Sequence, residues 1–537
     1  MPQTAQSFTL LIYPFRHKLI GTRDRRHLKQ LSTRWKPWWR RLVDEKGSVP
    51  LTRALDDAYF FMPYICKLLF PETACLRPGG DSQEIKQEVE RARQLASLPV
   101  GQLAEKLPPH GMLRLTYDAQ ALAILNGLQL TFGEEFSATV SLKWIDVALF
   151  PQHVGFLILK AQLDEPNPTT DKLNDFLYHV RFVHPPKVGW RLAHWNLAMA
   201  GQTLTFSNQE LIEFLLQGFA PGSNDHASTL DAYLSGQHQD NTPRRFSTSE
   251  EGQVFGQTLH EYTYACFGTS PEAQYSQEGE AETLPSIPGH RNKGPIFDST
   301  AQRVAYELVT CTQTSLPDYE PHPDGLKQLM ANGRIALWTN WEGIALHDNV
   351  VFLGTVATPF TRGDLAENVE NDYFYLYLLA LYQKMRLSIF SGELMRQNDD
   401  LYRNLEEARA MVDSFVEFRN HYWFANVTFK PQGTTIYQQF QRGLNVESLY
   451  ESVSHEVNEL QEYYERKADR RREALLFFLT FVGLPAGLLA AMFGAVLFDE
   501  GAKVSPNPKA WTLLGVISLL VYGLSALIYF VWKRSGR

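Results

Sequence analysis

The chain has 537 residues, with 51 Lys and Arg against 59 Asp and Glu and a formal net charge of −8. That length allows roughly three domains, and the acidic balance excludes a general nucleic-acid binder. The four cysteines, Cys66, Cys75, Cys266 and Cys311, fall in no C-x-x-C spacing, which excludes a zinc framework and reads as reduced, structural thiols.

Residues 7–15 alternate well enough for a strand, and no secretory signal peptide is expected, since the apolar run at 8–15 is short and lies among charges. A basic stretch follows at 21–42, in which Arg23, Arg25, Arg26, Lys29, Arg34, Lys36, Arg40 and Arg41 interleave with Trp35, Trp38 and Trp39. Residues 83–107 are polar with helical spacing. From 112 to 163 the chain becomes β-rich, with two runs joined by a turn at 151–153. Residues 173–183 read as helix, and 190–205 begin another mixed segment. Residues 221–251 and 269–294 are rich in Ser, Gly, Pro, Gln, Glu and Asp and read as polar insertions. Between them, 254–267 reads as a short ordered element. Residues 334–356 suggest two or three returning strands, so the sheet is expected to draw on both sides of the insertions. A long helix is expected over 371–411, continuing through 412–424, with a break at 431–433. After it, Val446, Leu449, Val453, Val457, Leu460 and Tyr464 recur at steps of three and four, the period of one helix face. With no Pro or Gly between 445 and Gly483, a single helix of about 40 residues is expected.

The end of the chain differs in kind. Residues 474–498 and 510–532 are uncharged runs of 25 and 23 residues. At about 1.5 Å per residue each could cross a hydrocarbon core of roughly 30 Å. Arg466, Lys467, Arg470, Arg471 and Arg472 precede the first run, and Lys533, Arg534 and Arg537 follow the second. The positive-inside rule then predicts a multi-pass membrane protein with both termini cytoplasmic and the connecting loop outside, its location taken as a bacterial inner membrane. Two helices cannot enclose a pore alone, so any channel here needs several copies.

This order resembles the CorA family of divalent-cation channels, most closely over about residues 364–537, with 415–450 similar to the segment leading into that family's stalk. The resemblance implies an α+β fold: a cytoplasmic α/β domain (1–363), a helical region and long stalk (364–473), and two C-terminal transmembrane helices with a basic tail (474–537). It also implies a homopentamer whose first membrane helix lines the pore. The family's Tyr-Gly-Met-Asn signature corresponds here to Phe493, Gly494, Ala495 and Val496. A ring of Asn amides can hydrogen-bond hydrated Mg²⁺, whereas a ring of Val496 side chains cannot and would act as a hydrophobic constriction. Helical spacing back from Val496 places Ala491, Gly487, Leu484, Thr480 and Leu476 along the pore, with Asp499 and Glu500 at its outer mouth. Pro485 would supply a hinge, or Gly483 and Gly487 tight helix packing.

No phosphate loop, dinucleotide fingerprint, zinc-protease motif or nucleophile elbow occurs, so catalysis is not expected. Arg23, Arg25, Arg26, Trp35, Arg40 and Arg41 suit a phosphate-bearing ligand with an aromatic base; a solvated helix with a Trp-lined packing face explains them too. Three functions follow. The first is a homo-oligomeric ion channel gated by its cytoplasmic domain. In this it is similar to the divergent CorA-like branch that accompanies type III CRISPR systems and answers to a nucleotide second messenger in antiviral defence. The second is a housekeeping transporter of Mg²⁺ or another divalent cation, the cation being permeant or regulatory. The third is a non-conducting membrane-tethered scaffold. The expected partners are copies of the chain, the lipid bilayer, ions and a nucleotide-derived ligand, with no direct DNA or RNA binding.

Overall fold

The computed structural model describes residues 3–17, 34–38, 60–71, 97–106, 110–125, 127–185, 190–199, 202–216, 258–268, 297–312, 321–396, 405–424 and 426–483, with scattered positions elsewhere. Its centre is a 12-stranded mixed sheet. The strands are β1 (Thr4–Arg16), β2 (Trp35–Pro37), β3 (Leu113–Tyr117), β4 (Leu128–Phe132), β5 (Phe136–Leu149), β6 (Val154–Leu163), β7 (His194–Met199), β8 (Gln202–Ser207), β9 (His260–Phe267), β10 (Arg334–Ile335), β11 (Trp341–Leu346) and β12 (Asn349–Gly354). They run in the order β10-β11-β12-β9-β1-β6-β5-β4-β7-β8, with β3 on β5 and β2 on β3. Every pairing is antiparallel except β9 with β12.

The pattern of each strand explains its place. The first half of β5 alternates buried and exposed residues, as a one-sided strand should, while its second half is buried on both faces. The change comes at a register shift between Leu142 and Trp144, and there the partner on the far side passes from β4 to β3. The turn into β6 places Gln152 and His153 at positive φ, 59° and 69°, the twist a tight hairpin needs although neither residue is Gly or Asn. Two side-chain bonds hold it: Arg386 Nε donates to Gln152 Oε1 at 2.9 Å, and His153 Nδ1 lies 2.9 Å from the His17 carbonyl.

The principal helices are α1 (Thr170–Val180), α2 (Asn208–Leu215), α3 (Thr300–Thr310), α4 (Asp372–Arg396), α5 (Leu405–Tyr422), α6 (Pro431–Gly443) and α7 (Val446–Phe478). Thr169, Ser207 and Ser299 cap α1, α2 and α3 through their side chains, satisfying backbone donors that would otherwise be orphaned. These three helices bury Leu177, Phe214 and Leu308 in one core with Leu11, Leu157 and Val351 of the sheet. On the other face α4 stacks Tyr382 on Phe150 at 4.6 Å and sets Phe374 against Tyr262 at 5.5 Å. Gln383, fully buried, ties α4 to α5 and α6: it donates to the Tyr422 carbonyl and accepts from Tyr437 and Gln441 at 2.9 and 3.0 Å.

The chain divides into two compact units. The larger is Met1–Glu393 with Glu417–Val453 and holds the sheet; the smaller is Leu394–Val416 with Ser454–Arg537. In the smaller unit the helical residues Ala408, Met411, Phe415, Val457 and Leu460 are buried.

Several expectations change. The fold is α+β with a mixed sheet, but the two transmembrane helices expected at 474–498 and 510–532 are corrected: among the described residues no helix is long and apolar enough to cross a membrane. The multi-pass inner-membrane placement that rested on them is corrected with them. The physical reason lies in α7, which is 33 residues long but charged along most of its length. Only its last five residues belong to the first uncharged run, and a π-helical turn, Leu479–Gly483, follows at once. Most of both runs lies outside the described residues. Of the helix expected over 371–411 and continuing through 412–424, α4 and α5 are described and residues 397–404 lie outside the described residues, whereas the expected break at 431–433 is instead the start of α6, with Pro431 in its first turn. Proline fits there because the first helical N–H needs no intrahelical acceptor.

Candidate functional site

β9 is buried along its whole length, yet it opens with two titratable residues, His260 and Glu261. Its parallel register with β12 sets Asn349 opposite Glu261, and the Glu261 N–H donates to the Asp348 carbonyl at 3.0 Å. Strand alternation sends the two side chains to opposite faces. Polar groups therefore gather where β9 and β12 begin, beside the β11–β12 turn.

On the α1/α3 face, four side chains surround the C-terminus of α3. Cys311 caps that helix in the left-handed conformation, φ 52°, which a residue with a Cβ adopts at some cost. Its thiol donates to Glu261 Oε2 at 3.4 Å. Asn349 Nδ2 donates to the Val309 carbonyl at 2.9 Å and lies 3.5 Å from Cys311 Sγ. Asn174 Nδ2, from α1, donates to the Thr312 carbonyl at 3.0 Å. Arg181, the C-cap of α1, is near enough to the Cys311 thiol to act on it electrostatically. Each of the four also has a second polar atom that is buried without a hydrogen-bond partner among the described residues: Glu261 Oε1, Asn349 Oδ1, Asn174 Oδ1 and Arg181 Nε. An unpaired buried polar group costs about 1–3 kcal/mol, and four such atoms gather around this helix end.

On the α4 face, Asp348 accepts the charges of two neighbours. Lys384 Nζ lies 3.5 Å from Asp348 Oδ1 and donates to the His347 carbonyl at 2.8 Å. His260 Nδ1 lies 3.6 Å from the same carboxylate oxygen. Burial drives the electrostatics. It pushes the Glu261 carboxyl up to about 8 although Arg181 pulls the other way, and it holds His260 below the usual imidazole range. Asp348 stays below the usual carboxylate range, since His260, Lys384 and Arg181 outweigh its own burial. The Cys311 thiol is pushed well up by burial and by Glu261. A thiol so raised is a poor nucleophile, and among the described residues no group of three or more His, Cys, Asp or Glu could hold a metal ion. What the cluster can do is hold or release a proton at Glu261 and pass a change at either face to α1, α3 or α4.

The residues singled out from the sequence lie elsewhere. Leu476 is exposed near the end of α7, and Thr480 in the following π-turn donates to its carbonyl at 2.7 Å. Gly487 is exposed. Leu484, Ala491, Phe493, Gly494, Ala495, Val496, Asp499, Glu500, Arg23, Arg25, Arg26, Arg40 and Arg41 lie outside the described residues. Trp35 is a core side chain, edge-on to Tyr117 at 5.1 Å and to Phe219 at 5.3 Å. The polar cluster was missed, and the one local signal for it was the pair His260–Glu261 at the head of an otherwise apolar run. No family model and no curated protein matches the chain.

Proposed function

We propose that the larger unit senses a small ligand and governs an ion-conducting homo-oligomer, in the manner of a divergent CorA-like channel. One observation carries this reading. The helices α4 and α7 each have residues in both compact units. Lys384 of the polar cluster and Gln383 of the buried amide network sit on α4, so a change at the cluster acts on that helix.

A ligand shifts such an equilibrium only by its difference in affinity for the two states, about 1.4 kcal/mol per tenfold change in population. A nucleotide-type anion, taken by the arginines between Arg23 and Arg41, is the ligand this reading favours; no metal cofactor and no catalytic step belong to it. Purified chain should form a homo-oligomer by native mass spectrometry and admit ions to lipid vesicles only with its ligand present. An oligomer that carries Mg²⁺ without any ligand would make it a divalent-cation transporter. Failure to conduct under every condition would leave a scaffold.

A further inference from the structure

We propose that Glu261 is a proton-operated latch on the C-terminus of α3. In the closed form the carboxyl is neutral, and Oε2 accepts the Cys311 thiol. The proton then sits on Oε1, which is buried and has no partner among the described residues. In the open form the O–H bond of Glu261 is broken and the proton has gone to a base in solvent. The carboxylate turns to the unpaired Nε–H of Arg181 and lets go of Cys311.

Both forms are served by groups already in place. Arg181 faces Glu261 from the end of α1, Cys311 from the end of α3, Asp348 from the β11–β12 turn and Tyr377 from α4. Asp348 is held by His260 and Lys384 on the α4 face, while Arg181 acts on both Asp348 and Glu261 and is the cation that favours the Glu261 carboxylate. Releasing Cys311 removes one support from a left-handed cap, and the Thr312 N–H bond to the Glu307 carbonyl, 3.1 Å, depends on that cap. The sign follows from the raised carboxyl: the latch is closed below about pH 8 and opens above it. The latch rests on the α3 cap alone and stands or falls independently of ion conduction.

Hydrogen exchange on the whole chain tests it. After correction for the intrinsic rate, the amides of Cys311 and Thr312 should lose at least tenfold protection between pH 7 and pH 9.5, while α6 in the same unit keeps its own. Glu261→Gln, which keeps the carbonyl acceptor and cannot ionise, should hold the cap closed throughout. Labelling of Cys311, measured by difference against Cys311→Ser, should rise more steeply with pH than thiol ionisation alone requires, and Glu261→Gln should remove the excess. An unchanged cap in the wild-type chain overturns the proposal even if the Gln variant fails to fold. So does a Gln variant that opens in step with wild type.

Discussion

Asp146→Ala should be among the most damaging single substitutions in the sheet. Asp146 on β5 is fully buried and meets Arg114 of β3 through Nη2 at 2.6 Å and Nε at 2.9 Å. The guanidinium also donates to the Tyr375 hydroxyl of α4 and lies over the rings of Trp38 at 4.9 Å and Trp144 at 5.8 Å. Burial opposes its charge, and Tyr375 and Asp146 outweigh burial, so it is held charged. Removing Asp146 leaves that charge without a counterion in the interior, a loss of about 3–5 kcal/mol. Replacing both partners with apolar residues, Arg114→Met with Asp146→Leu, removes the charge together with its counterion and should cost at least about 2 kcal/mol less than the single change. Urea unfolding followed by tryptophan fluorescence suits the question, because Trp38 and Trp144 sit on the guanidinium. A single variant that loses under about 1 kcal/mol, or a double variant as unstable as the single, would refute the view that the pair fastens β3 and β5 to α4.

Acid should weaken the protein through its buried histidines. Burial lowers His17 to about 4 although its ring N–H donates to the Phe150 and Val154 carbonyls, and lowers His260 as well. The unfolded chain then binds protons that the folded one refuses, so stability present above pH 6.5 is lost as pH falls toward 4, by on the order of 3 kcal/mol for His17. Urea midpoints at pH 7 and pH 4.5 measure it, and replacing His17 by Gln should flatten the difference. Gly443→Ala should cost about 1–3 kcal/mol, since a Cβ there overlaps the Ala345 carbonyl. Gly392→Ala, where a Cβ meets nothing within 4 Å, should stabilise α4 by about 0.5–1 kcal/mol; thermal midpoints that move the same way for both would contradict the packing described.

The sheet was readable where local chemistry was strong. The hairpin of β5 and β6 follows from dense β-formers around Pro151, and the two or three returning strands expected at 334–356 are β10, β11 and β12. Helix ends were read less well. Pro431 looks like a breaker in a one-dimensional pattern and is a starter once the N–H count at a helix end is considered. The uncharged runs outweighed the charged helix that leads into them, and the length of α7 lies in its charged part. The polar cluster was not legible, because Asn174, Arg181, Glu261, Cys311 and Asn349 meet only through the pairing of β9 with β12 and the capping of α1 and α3. No spacing in the sequence encodes that meeting.

The place of β1 in the sheet has a consequence for synthesis. One side of the strand pairs with β6 and the other with β9. On a ribosome adding about 5–20 residues per second, the roughly 100 residues between β6 and β9 take on the order of 5–20 s to appear. During that interval β1 and β6 can already pair, leaving the far edge of β1 a row of unsatisfied N–H and C=O groups. Such an edge recruits whatever strand reaches it first, including the β1 of a neighbouring nascent chain. The yield of this protein should therefore depend on the rate at which residues 164–267 are translated, and on any chaperone that covers the β1 edge in the meantime.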